Sequence, residues 1–193
     1  AAENANTGLP ILRRLDIAYP QYSEASRNDE FLLGDSIIVA PINEAYIKTG
    51  FDEGFFTHTE NGVEKKGLLG SYYANADCSG EPVYRQADTE FVLDWGLASP
   101  KGLPADNFSI DWKGNFTVGD TDMKFSFFAD DRVQVRIDNK TVVNSYDDEK
   151  QENQYDVLFE TEYYEAGSTH SIEIRYVEEG NYAHFYMYGM ERQ

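Results

Sequence analysis

The chain has 193 residues, 41% of them hydrophobic and 15% aromatic, which is enough apolar material for one ordinary domain with a smaller piece beside it and too much for a disordered chain. A net charge of −19 argues against a surface that tracks phosphates, so nucleic acid is excluded as a partner and an anionic membrane with it. The single cysteine, Cys78, rules out an intramolecular disulfide and a cysteine-based zinc site, and no run approaches the ~18 apolar residues of a membrane-spanning helix.

In chain order, Ala1–Asn6 reads as the tail of a helix, with Gly8 as its stop and Pro10 beyond it. "ILRRLDIAYP" is a short apolar segment closed by Pro20. "EFLLGDSIIVAPI" is an almost continuous apolar run around one Gly-Asp pair, a pattern suited to a strand buried on both faces. "KTGFDEGFFTHTENGVEKKG" is rich in glycine and charge and reads as a linker or irregular connection over residues 51–66. Charge changes at the same place: residues 1–50 carry a net −3, leaving −16 for 51–193.

From Leu68 the period becomes two. "LLGSYYA", "TEFVLDWG", "NFSIDWKGNFTV", "MKFSFFADDRVQVRID", "TVVNSY" and "THSIEIRYVEEGNYAHFYMYGM" are short alternating runs separated by turn residues. Asp130-Asp131 marks a bend between two strands, Asp138-Asn139 suits a tight hairpin because both residues tolerate positive φ, and Gly180-Asn181 lies near a third turn. The expected fold is mainly β, an antiparallel sandwich with little helix over 67–193.

Two resemblances sharpen this. "GLLGSYY", "DWGLASPKGLPADNFSIDWKGNF", "FSFFADDRVQVRIDNKTVV", "EAGSTHSIEIRYVE" and the aromatic last strand together resemble the PA14 domain, a β-sandwich inserted in many glycosidases, adhesins and toxins. Two positions depart from the family pattern: Arg132 and Asn139 stand where glycines are usual. Asn139 can hold the left-handed backbone, whereas Arg132 is a poor substitute. "TGLPILRRLDIAYP" followed by "DEFLLGDSIIVAPI" is similar to the end of the catalytic barrel in glycoside hydrolase family 31, which includes α-glucosidases and α-xylosidases. The implied organisation is a partial segment from the end of a (β/α)8 barrel over 1–50, a linker over 51–66 and a PA14 sandwich over 67–193.

That organisation implies a non-catalytic region of a larger enzyme. Retaining glycosidases need two carboxylates about 5–5.5 Å apart, and in family 31 both belong to barrel segments upstream of the one present here. No catalytic residue and no cofactor is therefore assigned. His58, His170 and His184 share no metal-ligand spacing with each other or with Cys78. Partners implied are an oligosaccharide or polysaccharide and the rest of the parent glycosidase. The alternative is a structural insert that shapes an active-site rim or an oligomer interface and binds no sugar.

The candidate ligand-binding residues are Asp130, Asp131, Arg132, Asn181 and Tyr182. Some PA14 adhesins use an adjacent aspartate pair to hold calcium that directs sugar hydroxyls, and hard carboxylates suit that ion. Here the fixed charge of Arg132 is expected to pair with one of the two acids and oppose tight calcium binding, so no metal is assigned. Tyr182, His184, Tyr186 and Tyr188 on the last strand, with Tyr72 and Tyr73 on the first, form either a stacking surface for sugar rings or half of a core; alternation alone leaves both open. Trp95 and Trp112 read as core. The apolar residues of the first 50, among them Ile11, Leu12, Phe31, Leu32, Ile37, Ile38 and Val39, are expected to lack full enclosure because the barrel they suit is absent from this chain.

Overall fold

Period-two alternation does what it should: from Leu68 onward the chain forms antiparallel strands, and no helix occurs there among the described residues. The computed structural model describes residues 12–22, 31–33, 37–39, 47–48, 50–145 and 158–192. They belong to two compact units, Ala1–Glu44 and Ala45–Gln193.

The first unit contains strand β1 (Leu12–Arg14), a one-turn helix α1 (Leu15–Ala18) and strands β2 (Phe31–Leu33) and β3 (Ile37–Val39). The strands form one antiparallel sheet in the order β1-β2-β3. Leu32 and Leu15 are buried against Ala18, whereas Leu12, Leu33, Ile37 and Ile38 are exposed, Ile38 at 61%. Ile11 lies outside the described residues.

The second unit is a sandwich of two sheets. Its strands are β4 (Ile47–Lys48), β5 (Phe56–Glu60), β6 (Val63–Lys66), β7 (Leu68–Tyr73), β8 (Tyr84–Asp88), β9 (Val92–Gly96), β10 (Phe108–Thr117), β11 (Met123–Asp130), β12 (Arg132–Ile137), β13 (Lys140–Asn144), β14 (Phe159–Glu160), β15 (Thr169–Glu178) and β16 (Ala183–Glu191). The larger sheet runs β13-β12-β15-β10-β5-β6, with β7 also on β10 and β8 on β7. The smaller runs β14-β11-β16-β4, with β9 also on β16. Inward residues of both meet in one core: Trp112 of the larger sheet stacks on Phe185 of the smaller at 5.1 Å, and Phe116 meets Phe125 edge-on at 4.9 Å. Trp112 is fully buried and Trp95 packs half-buried on Phe108 and Tyr176.

Residues 51–66 are not a linker. Asn61 and Gly62, both at positive φ (52° and 76°), close a two-residue hairpin between β5 and β6, a turn whose twist matches that of the strands. Phe55 and Phe56 are buried in the core, and β5 pairs with the end of β10 through Phe56↔Phe116. Gly114 permits that contact: a Cβ there would lie 2.2 Å from the carbonyl oxygen of Thr57. The Asp138-Asn139 hairpin between β12 and β13 forms as expected, with φ of 49° and 64°.

One polar knot locks β7, β8 and β10 together. Asp88 Oδ2 accepts from the Tyr72 hydroxyl at 2.6 Å and from the Trp112 indole at 2.7 Å, while Oδ1 accepts from Gln86 at 2.7 Å. Burial and the Asp88 carboxylate push the Tyr72 hydroxyl far above its ordinary pKa, so it stays a donor. Gly70 clears the space, since a Cβ there would sit 2.6 Å from Asp88 Oδ2 and 2.9 Å from the Trp112 ring. Asp88→Ala strands two donors, Tyr72 hydroxyl and Trp112 indole, at about 1–3 kcal/mol each. We expect urea denaturation to show a loss of roughly 2–4 kcal/mol with an unchanged m-value; a loss below about 0.5 kcal/mol, the level of an ordinary surface substitution, would show the knot to be dispensable.

Candidate functional site

The bend at Asp130-Asp131 is where the chain leaves one sheet for the other: β11 ends in the smaller sheet at Asp130 and β12 begins in the larger at Arg132. The peptide bond joining the two aspartates is cis. The crossover is tied to β15 and to the loop after it. Tyr176, fully buried, donates its hydroxyl to the Asp130 carbonyl at 2.5 Å. Asp131 Oδ2 accepts the amides of Glu179 at 2.6 Å and Gly180 at 3.2 Å. A carboxylate held by two N–H groups is oriented, and its outer lone pairs stay available to a ligand.

Four of the five sequence-derived candidates, Asp130, Asp131, Arg132 and Asn181, lie at this end of the sandwich, three of them tied through main-chain groups and Arg132 through its side chain. Asp130 itself is buried at the crossover, opposite His184 in register, and Asp131 is half-exposed. Arg132 meets a partner the sequence reading did not name: its Nε lies 3.0 Å from Glu179 Oε1 and its Nη2 3.3 Å from Oε2, a two-point ion pair with the residue whose amide binds Asp131. The cation is thus drawn toward the β15–β16 loop. Arg132 needs no left-handed backbone, because it is already extended in β12. Asn181 takes positive φ (78°) and donates its amide to Asp106 Oδ1 at 3.2 Å, which brings the loop after β9 to the same place. Tyr182, the fifth, is 51% exposed at the head of β16.

The site has a member that sequence reading missed. Glu178 is completely buried at the end of β15. Its Oε2 lies 3.2 Å from the Tyr176 hydroxyl oxygen, whose proton goes to the Asp130 carbonyl, and its Oε1 is buried without a protein partner. Alternation along β15 was the available signal: Glu178 shares the inward face with Ile172, Ile174 and Tyr176. Burial, and then the charges of Asp131 and Asp130, push its carboxyl up to about 8. Three carboxyls thus crowd one crossover, and the innermost stays protonated at neutral pH.

Among the described residues, no group of three or more His, Cys, Asp or Glu side chains has an arrangement that could hold a metal ion. What the arrangement can do is accept hydrogen bonds from hydroxyls at Asp131, with an exposed tyrosine ring one loop away. Its pH response follows from Glu178. A carboxyl whose folded pKa lies above the unfolded value of about 4.5 binds more protons in the folded state between those values. Stability is therefore full below about 4.5, falls as pH rises toward 8 and then levels off. The slope reaches at most about 1.4 kcal/mol per pH unit. Glu178→Gln keeps the size of the side chain and removes the titration, so thermal unfolding of the variant between pH 5 and pH 8 is expected to lose this decline. An unchanged slope would show that Glu178 is ionised in the folded protein.

The PA14 domain family model matches residues 64–191. Among solved structures, the chain is similar to an anti-sigma factor domain-containing protein from Clostridium clariflavum, with a TM-score of 0.60 and 18% identity, covering 84% of this chain and 54% of that one. It is similar to a second anti-sigma factor domain-containing protein at TM-score 0.58 and 23% identity, covering 66% and 43%. The β-glucosidase from Kluyveromyces marxianus, solved in complex with glucose, matches at TM-score 0.52 and 11% identity, covering 77% of this chain and 19% of that enzyme. The chain thus spans about half the length of the first two proteins and a fifth of the third, and at these identities the likeness is one of fold alone. No curated protein sequence matches it. With a match over most of its length, the chain belongs to the PA14 domain family.

Proposed function

We propose that this chain is a non-catalytic carbohydrate-binding or substrate-positioning region of a larger glycoside hydrolase, of the family 31 type, and that it holds sugar hydroxyls at the Asp131 crossover. The observation that carries this reading is the geometry of Asp131: a half-exposed acceptor oriented by the Glu179 and Gly180 amides at the meeting of three loops. Asn181 and the exposed Tyr182 ring supply the amide and the apolar face that sugar recognition uses beside a carboxylate. Arg132, locked to Glu179, keeps that loop in place and adds donors next to the acceptor.

The family 31 assignment rests on the two phrases "TGLPILRRLDIAYP" and "DEFLLGDSIIVAPI" in that order. The exposed Leu12, Leu33, Ile37 and Ile38 of the first unit support it, since they are the side chains a neighbouring barrel would cover. The β-glucosidase match shows that this fold occurs within a glycosidase chain.

Titration of this chain with neutral mono- and oligosaccharides, with calcium and with chelator, tests the reading. We expect binding that Asp131→Ala weakens at least about tenfold, one lost charge-assisted hydrogen bond being worth about 1.5–3 kcal/mol. We expect it to persist in chelator, and calcium alone to bind no tighter than micromolar. Binding unaffected by Asp131→Ala would move the site elsewhere. Submicromolar calcium binding abolished by that variant would make the crossover a metal centre.

A further inference from the structure

Alternation decides the fate of the last strand's aromatic residues. Ala183, Phe185 and Met187 of β16 are fully buried and face the core. His184, Tyr186 and Tyr188 therefore stand on the opposite, outer face of the smaller sheet, His184 buried and the two tyrosines half-buried. Phe128 joins them from β11, directly opposite Tyr186 in register, while Phe125 and Phe127 on either side of the alternation face inward. These rings are not scattered. Phe128 and Tyr186 are 5.9 Å apart with planes 5° from parallel, His184 stacks on Phe128 at 5.1 Å and on Tyr186 at 4.9 Å, and Tyr188 follows at 6.2 Å from Tyr186.

The face is not purely apolar. Tyr186 donates its hydroxyl to Asp94 Oδ2 at 3.0 Å, and Asp94 Oδ1 accepts the Gly96 amide at 3.0 Å, so a second oriented carboxylate stands beside the rings. Burial and that carboxylate push the Tyr186 hydroxyl up to about 12, which leaves it neutral. The row runs toward the crossover: buried His184 lies opposite Asp130, and the exposed Tyr182 immediately precedes the same strand. Aromatic rings in line, spaced along a strand by two residues or about 6.6 Å, with an oriented acceptor at their edge, present the chemistry that meets the alternating C–H faces and hydroxyls of a sugar chain. The net charge of −19 disfavours an anionic chain. A protein partner would prefer a larger dry surface than one interrupted by Asp94 and tyrosine hydroxyls.

We infer that the outer face of the smaller sheet, along Phe128, Tyr186 and Tyr188 with Asp94 beside them, is an extended subsite for a linear neutral glycan that continues from the Asp131 crossover. This rests on the carbohydrate-binding reading above and adds to it the class of ligand: a chain of several sugar units, bound along its length. The test is calorimetry on the whole chain with linear neutral oligosaccharides of one to six units, in α-1,4-gluco, β-1,4-gluco and β-1,4-xylo series. At least one series is expected to gain about tenfold or more in affinity between one unit and four. Tyr186→Ala should remove that gain and leave the affinity for the single sugar unchanged, and Tyr188→Ala should reduce it. Both side chains are half-buried and Tyr186 packs on Phe128 and His184, so Tyr186→Ala is expected to lower the thermal midpoint while the variant stays folded; if Tyr186→Ala fails to fold, Tyr188→Ala and Asp94→Asn carry the test. Affinity independent of length, or a gain that survives these substitutions, overturns the extended subsite alone. Absence of binding at every length overturns the carbohydrate reading with it.

Discussion

One hydrogen bond organises the crossover end of this sandwich: the buried hydroxyl of Tyr176 on the carbonyl of Asp130. At that carbonyl the chain has just finished β11 in one sheet and is about to enter β12 in the other. A backbone group turning between two sheets loses its ladder partner, and a buried carbonyl without one is destabilising. Tyr176 supplies the partner from β15, a neighbour of β12 in the larger sheet, so one side chain of that sheet secures the end of a strand in the other. Asp131 then reaches the two amides that begin the β15–β16 loop, and Arg132 reaches the side chain of Glu179 on the same loop. Three successive residues are each tied to β15 or its loop, and the loop's position follows from the core beneath it.

That core explains why polar and accessible side chains collect at the end and on the outer faces. Inward positions of both sheets are taken by large aromatic and aliphatic side chains, with Trp112 held in place by Asp88 and by the space Gly70 leaves. Such packing fills the inward positions, so side chains free to meet a ligand lie on loops and outward faces. Glu178 is a carboxyl pressed fully into that interior beside the crossover. Its position under Asp130 and Asp131 makes the net charge of the site depend on pH, with a neutral Glu178 easing the repulsion between the two aspartates and their surroundings.

Much of the fold was legible because alternation is a local signal. The strands from Leu68 onward, the Asp138-Asn139 turn and the burial of Trp112 all follow from residue type and spacing. The hairpin at 56–66 was also written locally, in Asn61-Gly62, yet the surrounding glycines and charges masked it, since β5 and β6 are short and β6 is exposed throughout. The site was legible as a cluster of residue types. Its ties were not. That Asp131 reaches Glu179 and Gly180, 48 and 49 residues away, depends on sheet order, which no local pattern encodes. That Arg132 also meets Glu179 was not legible, because Glu179 approaches it only after β12 and β15 have paired. The tyrosines of β16 were an even choice until Phe185 and Met187 were seen to occupy the core side.

The central claim is that sugar hydroxyls are held at the Asp131 crossover. Amide chemical-shift mapping of this chain during addition of a neutral oligosaccharide reads that place most directly, because the amides of Glu179 and Gly180 donate to the very carboxylate proposed to bind. The account predicts that the largest saturable shifts fall on residues 131–132 and 179–182, with His184, Tyr186 and Tyr188 following as the chain lengthens. Saturable shifts confined to other surfaces of the sandwich, with residues 131 and 179–182 unmoved, would contradict it.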